Sequence, residues 1–421
     1  MPTLSLRLGL ASIAIFGGFP SASNPPENTV VPAISGVPTV GLTLSCSTGI
    51  WTGTGPLSYA YQWKADGTNI SGATASTFLL TSSEVGKAIT CAVSATNAAG
   101  SGSATSAATS AVETLSYTSS GGSGNRSSLI TITTDATMLG SGGIAVLIDG
   151  AQTDSAWFMN GQTGKYVKFD FGAGNYKIIS ELKWYQNNTF SQNIWVLDGS
   201  NDDVNWVPIT DSFELGTSAT TTIALSYNAN KGYRYYRLLQ VSGTTTSAPY
   251  LREIEFKIAS APQAVDDNSA IPSYLNPGAT GDRTASITVT SSMSPTSGSL
   301  LSNFIDGAFG STSTDSVELP AALSGQWITF DFGSGVSKII TGFVWWASTF
   351  IGQGDWKLQG SNDNSAWTDL STSVPLGGAV RKVYHGAAAN TTGYRYYRLL
   401  QTSGLTSGNP WNEEVQFEIA A

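Results

Sequence analysis

The chain has 421 residues, of which 20 are Lys or Arg and 29 are Asp or Glu, so its net charge is −9 and nucleic acid is not an expected partner. Charged residues make up 12% while aromatic residues reach 10%, so hydrophobic cores can form, and the length suits about three domains. One His and two Cys exclude metal centres built from several such ligands, and no apolar run is long enough to predict a membrane-spanning helix.

Residues 1–27 are predicted to be an N-terminal anchoring segment. Apolar residues alternate with polar or small ones from Leu4 to Leu10, which is typical of a strand and not of the helical region of a secretion signal. We expect residues 1–20 to be retained and to add a strand to a sheet of another protein. The alternative is a cleaved secretory signal that ends at Ser23.

Residues 28–114 form the next predicted domain. Cys46 and Cys91 bracket Trp63, and short strand patterns separated by Pro and Gly turns surround them. This arrangement resembles an immunoglobulin-like β-sandwich, of the kind attached to bacterial surface and phage virion proteins, although Ile89 replaces the Tyr of antibody domains. Two states of the cysteines are open: a disulfide worth about 3 to 4 kcal/mol, or two reduced and buried thiols.

The remainder of the chain is a tandem repeat. FDFG occurs at 169–172 and at 330–333, and the motifs GSND and YRYYRLLQ recur with the same offset, since 331 − 170 = 161. We expect a Gly/Ser-rich linker at 115–127, a first repeat at 128–259, a linker at 260–282 and a second repeat at 283–421.

The periodicity of both repeats is that of strands. Val167, Phe169 and Phe171 alternate with polar residues, and turn-forming clusters interrupt the strands at short intervals. The predicted fold class is therefore all-β: one immunoglobulin-like sandwich followed by two tandem jelly-roll sandwiches.

The order of motifs in the repeats resembles the discoidin family, which includes the galactose-binding-like family 32 carbohydrate-binding modules. The series in the first repeat is Asp149-Gly150, Trp157, FDFG, Ser200-Asn201-Asp202, Trp206, Arg234-Tyr235-Tyr236-Arg237 and Glu253-Ile254-Glu255-Phe256. The second repeat follows the same order without a counterpart of Trp157, and the resemblance covers about two thirds of the chain.

Motifs shared by the repeats are predicted to be scaffold, since both copies must fold but need not bind the same ligand. Trp195 and Trp206, which have counterparts in Trp356 and Trp367, are accordingly assigned to packing. The loops that differ between the copies are the predicted ligand-binding regions.

A sugar site needs an aromatic platform beside amides, carboxylates or an Arg. Trp345 and Trp346 point to opposite faces of a strand, so one of them is expected to face outward. The candidate carbohydrate-binding residues of the second repeat are Trp346, Phe350, Trp411, Asn409 and His385. Those of the first repeat are Tyr185, Phe190, Tyr250 and Arg252, beside Asn187 and Asn188.

The resemblance also implies a structural Ca²⁺ near the Asp-Gly loop and the final Glu. Its ligands would be Asp149 with Glu253 in the first repeat and Asp306 with Glu414 in the second, together with backbone carbonyls. The alternative is turn-forming Asp-Gly pairs and surface glutamates. No other cofactor is expected.

No catalytic motif of hydrolases, P-loop proteins or redox enzymes is present, so an enzyme is not expected. The sequence predicts a surface protein of a bacteriophage or phage-like particle, present as a homo-oligomer or in many copies, that binds host polysaccharide and enters no membrane. The alternatives are a secreted bacterial adhesin and a purely structural virion protein. Many copies would compensate for weak individual sites.

Overall fold

The computed structural model describes residues 23–139, 143–153, 156–158, 163–187, 189, 191–225, 231–242, 250–261, 274, 278–309, 314–320, 324–347, 352–384, 387, 390–404 and 411–420. In these ranges the chain forms strands and three short 3₁₀ helices, which confirms the all-β prediction. None of the described helices has the length and apolar character that a membrane crossing requires.

The chain divides into two compact units, and the boundary in the sequence lies between Val112 and Glu113. The first unit contains nine strands and a 3₁₀ helix at Ser82–Glu84. Its strands are β1 Glu27–Val30, β2 Ile34–Ser35, β3 Thr43–Cys46, β4 Ile50–Thr52, β5 Ser58–Ala65, β6 Thr68–Asn69, β7 Thr77–Leu79, β8 Ile89–Asn97 and β9 Gly100–Thr105.

The described part of the first unit is a sandwich of two main sheets with a small third sheet. The main sheets have the orders β2-β3-β7 and β6-β5-β8-β9, with the core between them, and β1 pairs with β4 in the third. Trp63 is completely buried beside Cys46 and Cys91. Both cysteines are free thiols here, the second of the two states considered for them, and burial raises the pKa of Cys91 to about 12.

The sandwich begins a few residues before its predicted start at residue 28. The backbone of Asn24 bonds to Thr54 and accepts a hydrogen bond from Asn97, and Glu27 opens β1. Residues 24–27 therefore belong to the sandwich and not to the anchoring segment. Residues 1–22, which carry the predicted anchor, lie outside the described residues.

The second unit contains both repeats. The first repeat has a 3₁₀ helix at Ile144–Ile148 and two antiparallel sheets. Its strands are β10 Thr131–Thr134, β11 Met138–Leu139, β12 Ala156–Phe158, β13 Tyr166–Asp170, β14 Tyr176–Gln186, β15 Asn193–Ser200, β16 Val207–Pro208, β17 Phe213–Leu215, β18 Thr220–Ala224, β19 Tyr235–Ser242 and β20 Tyr250–Ala261. One sheet has the order β10-β13-β19-β15-β16 with β17 beside β15, and the other β11-β12-β20-β14-β18.

The second repeat has the same strand order, except that no described strand corresponds to β11, and it has a 3₁₀ helix at Leu301–Phe304. Its strands are β21 Thr288–Ser291, β22 Val317–Glu318, β23 Trp327–Asp331, β24 Ile339–Ala347, β25 Gly352–Ser361, β26 Thr368–Asp369, β27 Val374–Gly377, β28 Arg381–Tyr384, β29 Tyr396–Ser403 and β30 Trp411–Ala420. The sheets are β21-β23-β29-β25-β26 with β27 beside β25, and β22-β30-β24-β28. Two tandem jelly-roll sandwiches are therefore present, as predicted.

The shared FDFG motif is scaffold. Its Phe residues are buried, while Asp170 accepts two hydrogen bonds from Arg234 at 2.7 Å each. Asp331 and Arg395 form the same pair at 2.7 and 2.8 Å. The sequence motif thus ties one strand of each sandwich to the Arg of YRYYRLLQ.

The predicted Gly/Ser-rich linker at 115–127 belongs to the first repeat. Ser116 pairs with Ile258 through two backbone hydrogen bonds, and Gly122 accepts one from Phe256. A Cβ on Gly122 would lie 2.4 Å from the carbonyl oxygen of Tyr117, so its lack of a side chain reflects close packing. Likewise Ala279, inside the predicted linker 260–282, accepts a hydrogen bond from Phe417 of the second repeat.

Candidate functional site

A cavity of about 630 Å³ lies between the two repeats of the second unit. The first repeat contributes Asp198, Trp206, Arg237 and Gln240 to its lining. The second repeat contributes Phe309, Trp346, Arg381, Glu413 and Gln416. The volume falls in the range of about 300 to 1,000 Å³ that small-molecule sites occupy.

Arg381 of β28 fixes how the repeats meet. Its side chain is 1% exposed, and it donates hydrogen bonds to the carbonyl oxygens of Thr210 and Leu197 at 3.0 Å each and to the carboxylate of Asp198. Next along the strand, Lys382 forms an ion pair with Asp211 at 3.0 Å. A buried pair of this kind fixes the geometry of the contact more than it adds stability.

The two residues of this pair differ between the repeats. At the offset of 161, the counterpart of Asp198 is Gln359 and that of Arg381 is Thr220. The pairing of Tyr185 with Thr220 and of Trp346 with Arg381 supports the second correspondence. The acidic partner therefore occurs only in the first repeat and the basic partner only in the second. The two repeats can form this ion pair in one relative orientation only.

Trp346 forms one wall of the cavity. It is 9% exposed, its Nε1 donates to Gln416 at 3.2 Å, and the Arg381 guanidinium lies 5.3 Å from its ring. The ring of Phe309 meets it edge-on at 5.0 Å. Trp345 on the opposite face is fully buried. The expectation that one of these two rings faces outward was wrong, because the first repeat covers the face of the sheet that carries Trp346.

Trp206 forms part of the opposite wall. It is half-buried, and the guanidinium of Arg237 lies 4.3 Å from the centre of its ring while forming an ion pair with Asp198 at 3.1 Å. Arg398 and Trp367 form the same stack in the second repeat, at 4.2 Å. Trp206 thus packs within its own repeat and, because the adjacent repeat lies opposite it, also lines the cavity.

Two polar side chains of the lining lack hydrogen-bond partners among the described residues. Gln240 is 1% exposed and its Nε2 is unpaired. Glu413 is 9% exposed, and burial alone raises the pKa of its carboxyl to about 7. Buried polar groups are ordinarily satisfied. The Nε2 of Gln240 has almost no accessible surface, so of these two groups the carboxyl of Glu413 is the one that points to a ligand in the cavity.

We expect Glu413→Gln to stabilise the protein at pH 8.5 and to change its stability little at pH 4.5. The pKa of Glu413 is raised from 4.5 to about 7 in the folded state, so the folded protein holds this proton more tightly than the unfolded chain. That stabilisation is complete below about pH 4.5 and is lost as the pH rises through about 7, at a cost of about 3 kcal/mol. Urea unfolding of Glu413→Gln at both pH values tests this, with Glu214→Gln on the exposed surface as control; a pH-independent difference would contradict it.

The other predicted sugar-binding residues are distributed as follows. Tyr185 donates a hydrogen bond to Glu255 at 2.8 Å, and burial raises its pKa to about 12. Tyr250 and Trp411 are half-buried first residues of β20 and β30, and the Nε of half-buried Arg252 is unpaired. Phe190, Phe350, His385 and Asn409 lie outside the described residues. Among the members of the set that the structure describes, only Trp346 lines the cavity.

The predicted calcium positions hold a guanidinium in both repeats. Arg126 donates hydrogen bonds to the carboxylate of Glu253 and to the carbonyl oxygens of Gly122, Gly124, Leu147 and Ile254. The second oxygen of Glu253 accepts a hydrogen bond from the backbone of Gly150 at 3.1 Å, and Asp149 accepts one from Ala151. Arg126 and Glu253 are each 1% exposed.

Arg283 takes the same role in the second repeat. It bonds to Glu414 and to the carbonyl oxygens of Ala279, Gly281 and Val415, while Gly307 donates to Glu414 at 3.0 Å. Burial raises the pKa of both Glu253 and Glu414 and lowers that of both arginines. A carbonyl and carboxylate cage that would suit a hard cation is thus filled by the protein's own side chain, and a Ca²⁺ ion does not fit there.

EDTA is therefore expected to leave the thermal midpoint of the second unit unchanged. A bound ion at a hundred-fold excess over its Kd would stabilise the fold by about 2.7 kcal/mol, so its removal would lower the midpoint by several degrees. Calorimetry of the full chain with EDTA and with excess Ca²⁺ measures this. A calcium-dependent midpoint would show that Asp149 or Asp306 takes part in an ion site after all.

No protein-family model matches the chain, and no curated protein matches it. Solved structures that align with it include the C-terminal domain of a chitobiase from Bacteroides fragilis, with 16% identity over 32% of this chain and 95% of that one and a TM-score of 0.26. A CBM32 domain from Clostridium perfringens in complex with GalNAc-β-1,3-galactose aligns with 14% identity over 31% and 95%, with a TM-score of 0.26. The tandem CBM32-1 and CBM32-2 domains of Clostridium perfringens ZmpB align with 11% identity over 69% and 92%, with a TM-score of 0.28.

Proposed function

We propose that the second unit binds saccharide in the cavity between its two repeats, and that the protein is not an enzyme. The observation that carries this proposal is the composition of the lining: two Trp rings line the same cavity as the carboxyl group of Glu413, which is largely buried and has no partner among the described residues.

The chemistry of that lining suits a sugar. A sugar ring offers an apolar C–H face to an aromatic wall such as Trp206 or Trp346 and a rim of hydroxyl groups to polar side chains. The carboxyl of Glu413 can accept a hydrogen bond from a hydroxyl or donate one to it. That bond would satisfy a group that burial otherwise desolvates without a partner.

The carboxyl groups of the lining argue against hydrolysis. Glycoside hydrolases use two carboxyl groups, one as acid and one as base or nucleophile. Of the acidic groups described in the lining, Asp198 is held by both Arg237 and Arg381 and only Glu413 has no ion-pair partner. A single available carboxyl group among the described residues of the lining supports glycan binding without cleavage.

The cellular setting that we propose is the surface of a bacteriophage or phage-like particle, with the polysaccharide of the host cell as the ligand. The alternating pattern from Leu4 to Leu10 supports this setting, because such a strand suits addition to another virion protein. Sequencing the N-terminus of the protein in purified particles tests it. A start near Asn24 would favour the secreted adhesin, and a protein that binds no glycan would be a purely structural component.

Trp206→Ala is expected to weaken saccharide binding at least about ten-fold, since truncating an aromatic platform costs about 1.4 kcal/mol or more. Trp367→Ala is the matched control, because it removes the same stack on Arg398 in the second repeat without touching the cavity. A glycan array followed by titration of both variants against the best ligand measures the effect. Equal affinities of the two variants would reject the cavity as the site.

A further inference from the structure

We propose that the cavity selects saccharides that carry a free, protonated amine, and that Glu413 is the residue that recognises it. This inference rests on the proposed function and specifies the class of ligand. Three features support it: the position of Glu413, the ion pairs that the surrounding charged groups already form, and the residue at the same position in the first repeat.

A β-bulge takes Glu413 out of the regular pairing of β30 with β24. Trp346 pairs with Glu414 and Ala347 pairs with Asn412, so Glu413 is the extra residue of a bulge in β30. Bulges often redirect a side chain next to a binding site. The side chain of Glu413 is more than nine-tenths buried, lines the cavity and accepts no hydrogen bond from the described residues.

The described cationic side chains that face the cavity do not pair with Glu413. Arg237 of β19 and Arg381 of β28 both bind Asp198 of β15, and Arg381 also donates to two carbonyl oxygens. Both guanidinium groups are thus directed to the first repeat. Glu413 is the one described carboxyl group of the lining whose charge has no counterion.

An ammonium group on the ligand supplies what Glu413 lacks. A hydroxyl group would give the carboxylate a hydrogen bond, whereas an ammonium gives both a charge-assisted hydrogen bond and a counter-charge in a desolvated site. The rings of Trp206 and Trp346, which line the same cavity, can meanwhile pack against the apolar face of the sugar. Together the carboxyl group and the rings distinguish an amino sugar from both a neutral sugar and a simple amine.

The first repeat carries the opposite charge at the equivalent position. At the offset of 161, the counterpart of Glu413 is Arg252. The preference for an amine is therefore specific to the cavity that contains Glu413 and is not shared by both sandwiches.

The test is titration calorimetry of the full chain at pH 6.5 with two probes, a β-1,4-linked glucosamine hexamer and its fully N-acetylated form. We expect the glucosamine hexamer to bind at least about ten-fold tighter, and the ratio of the two affinities to fall to about one in Glu413→Gln. Glu214→Gln, which removes an exposed carboxylate bonded to Ser191, should keep the wild-type ratio.

The outcomes separate this inference from the proposed function. Equal binding of the two hexamers, or a preference that persists in Glu413→Gln, overturns the amine selectivity, while Trp206-dependent binding of any neutral saccharide still supports the cavity as a sugar site. Failure of every saccharide to bind overturns both. Thermal melts of each variant confirm that it is folded before its affinity is interpreted.

Discussion

Replacing Arg126 by Met should destabilise the first repeat by about 3 to 5 kcal/mol, because Glu253 and four carbonyl oxygens would lose the donor that satisfies them in the interior. Arg283→Met should cause a loss of the same size in the second repeat. Urea unfolding of the full chain, followed by Trp fluorescence, measures both.

The control for this prediction is Arg234→Met. Arg234 also forms a two-point pair with an Asp, but its side chain is 27% exposed, so we expect a loss of about 1 kcal/mol. In the double variant Arg126→Met/Glu253→Gln the loss should be smaller than in Arg126→Met alone, since no unpaired carboxylate is left behind. A loss below about 1 kcal/mol for Arg126→Met would show that water or an ion takes the place of the guanidinium.

Arg381→Met is expected to uncouple the two repeats and to abolish saccharide binding. Removing this buried guanidinium leaves the carboxylate of Asp198 with Arg237 alone and breaks two hydrogen bonds to the backbone of the first repeat, a loss of about 3 to 5 kcal/mol in the contact. Calorimetry should then show two transitions for the second unit. The affinity should fall because both repeats line the cavity.

Arg398→Met serves as the matched control for this variant. Arg398 is the counterpart of Arg237, stacks on Trp367 at 4.2 Å and accordingly loses packing within one repeat only. We expect it to keep both the coupling of the repeats and the affinity for the ligand. If Arg381→Met unfolds and binds as Arg398→Met does, the contact between the repeats is not what forms the site.

The fold was predictable because its signals are local. Strand periodicity around Phe169, and motifs that recur at an offset of 161, follow from the packing of one sandwich and appear twice. The pairing of Asp170 with Arg234 explains why FDFG and YRYYRLLQ occur together. Such short-range requirements can be recognised from residue types and spacing alone.

The buried arginines were not predicted, for two reasons. Arg126 lies in a Gly/Ser-rich stretch that is typical of a linker, and its counterpart Arg283 lies at an offset of 157 and not 161. Four additional residues of the second repeat, between Asp306 and Asp331, account for the difference. A comparison of the repeats that allowed this insertion would have aligned the two arginines.

The cavity was not predicted because neither repeat contains it. Trp206 looks like scaffold since Trp367 occupies the same position, and only the adjacent repeat gives it a role in a site. One signal was available in the sequence. When the repeats are aligned, Asp198 corresponds to Gln359 and Thr220 to Arg381, so the acidic partner occurs only in the first repeat and the basic partner only in the second. Complementary charges of this kind indicate that the two copies bind each other.

A crystal structure of the full chain soaked with the tightest saccharide from the array would show directly whether sugar binds in the cavity. We expect a sugar ring between Trp206 and Trp346, with a polar substituent within hydrogen-bonding distance of Glu413. A sugar bound only on the outer loops of either repeat, with the cavity between Trp206 and Trp346 filled by water, would contradict this expectation.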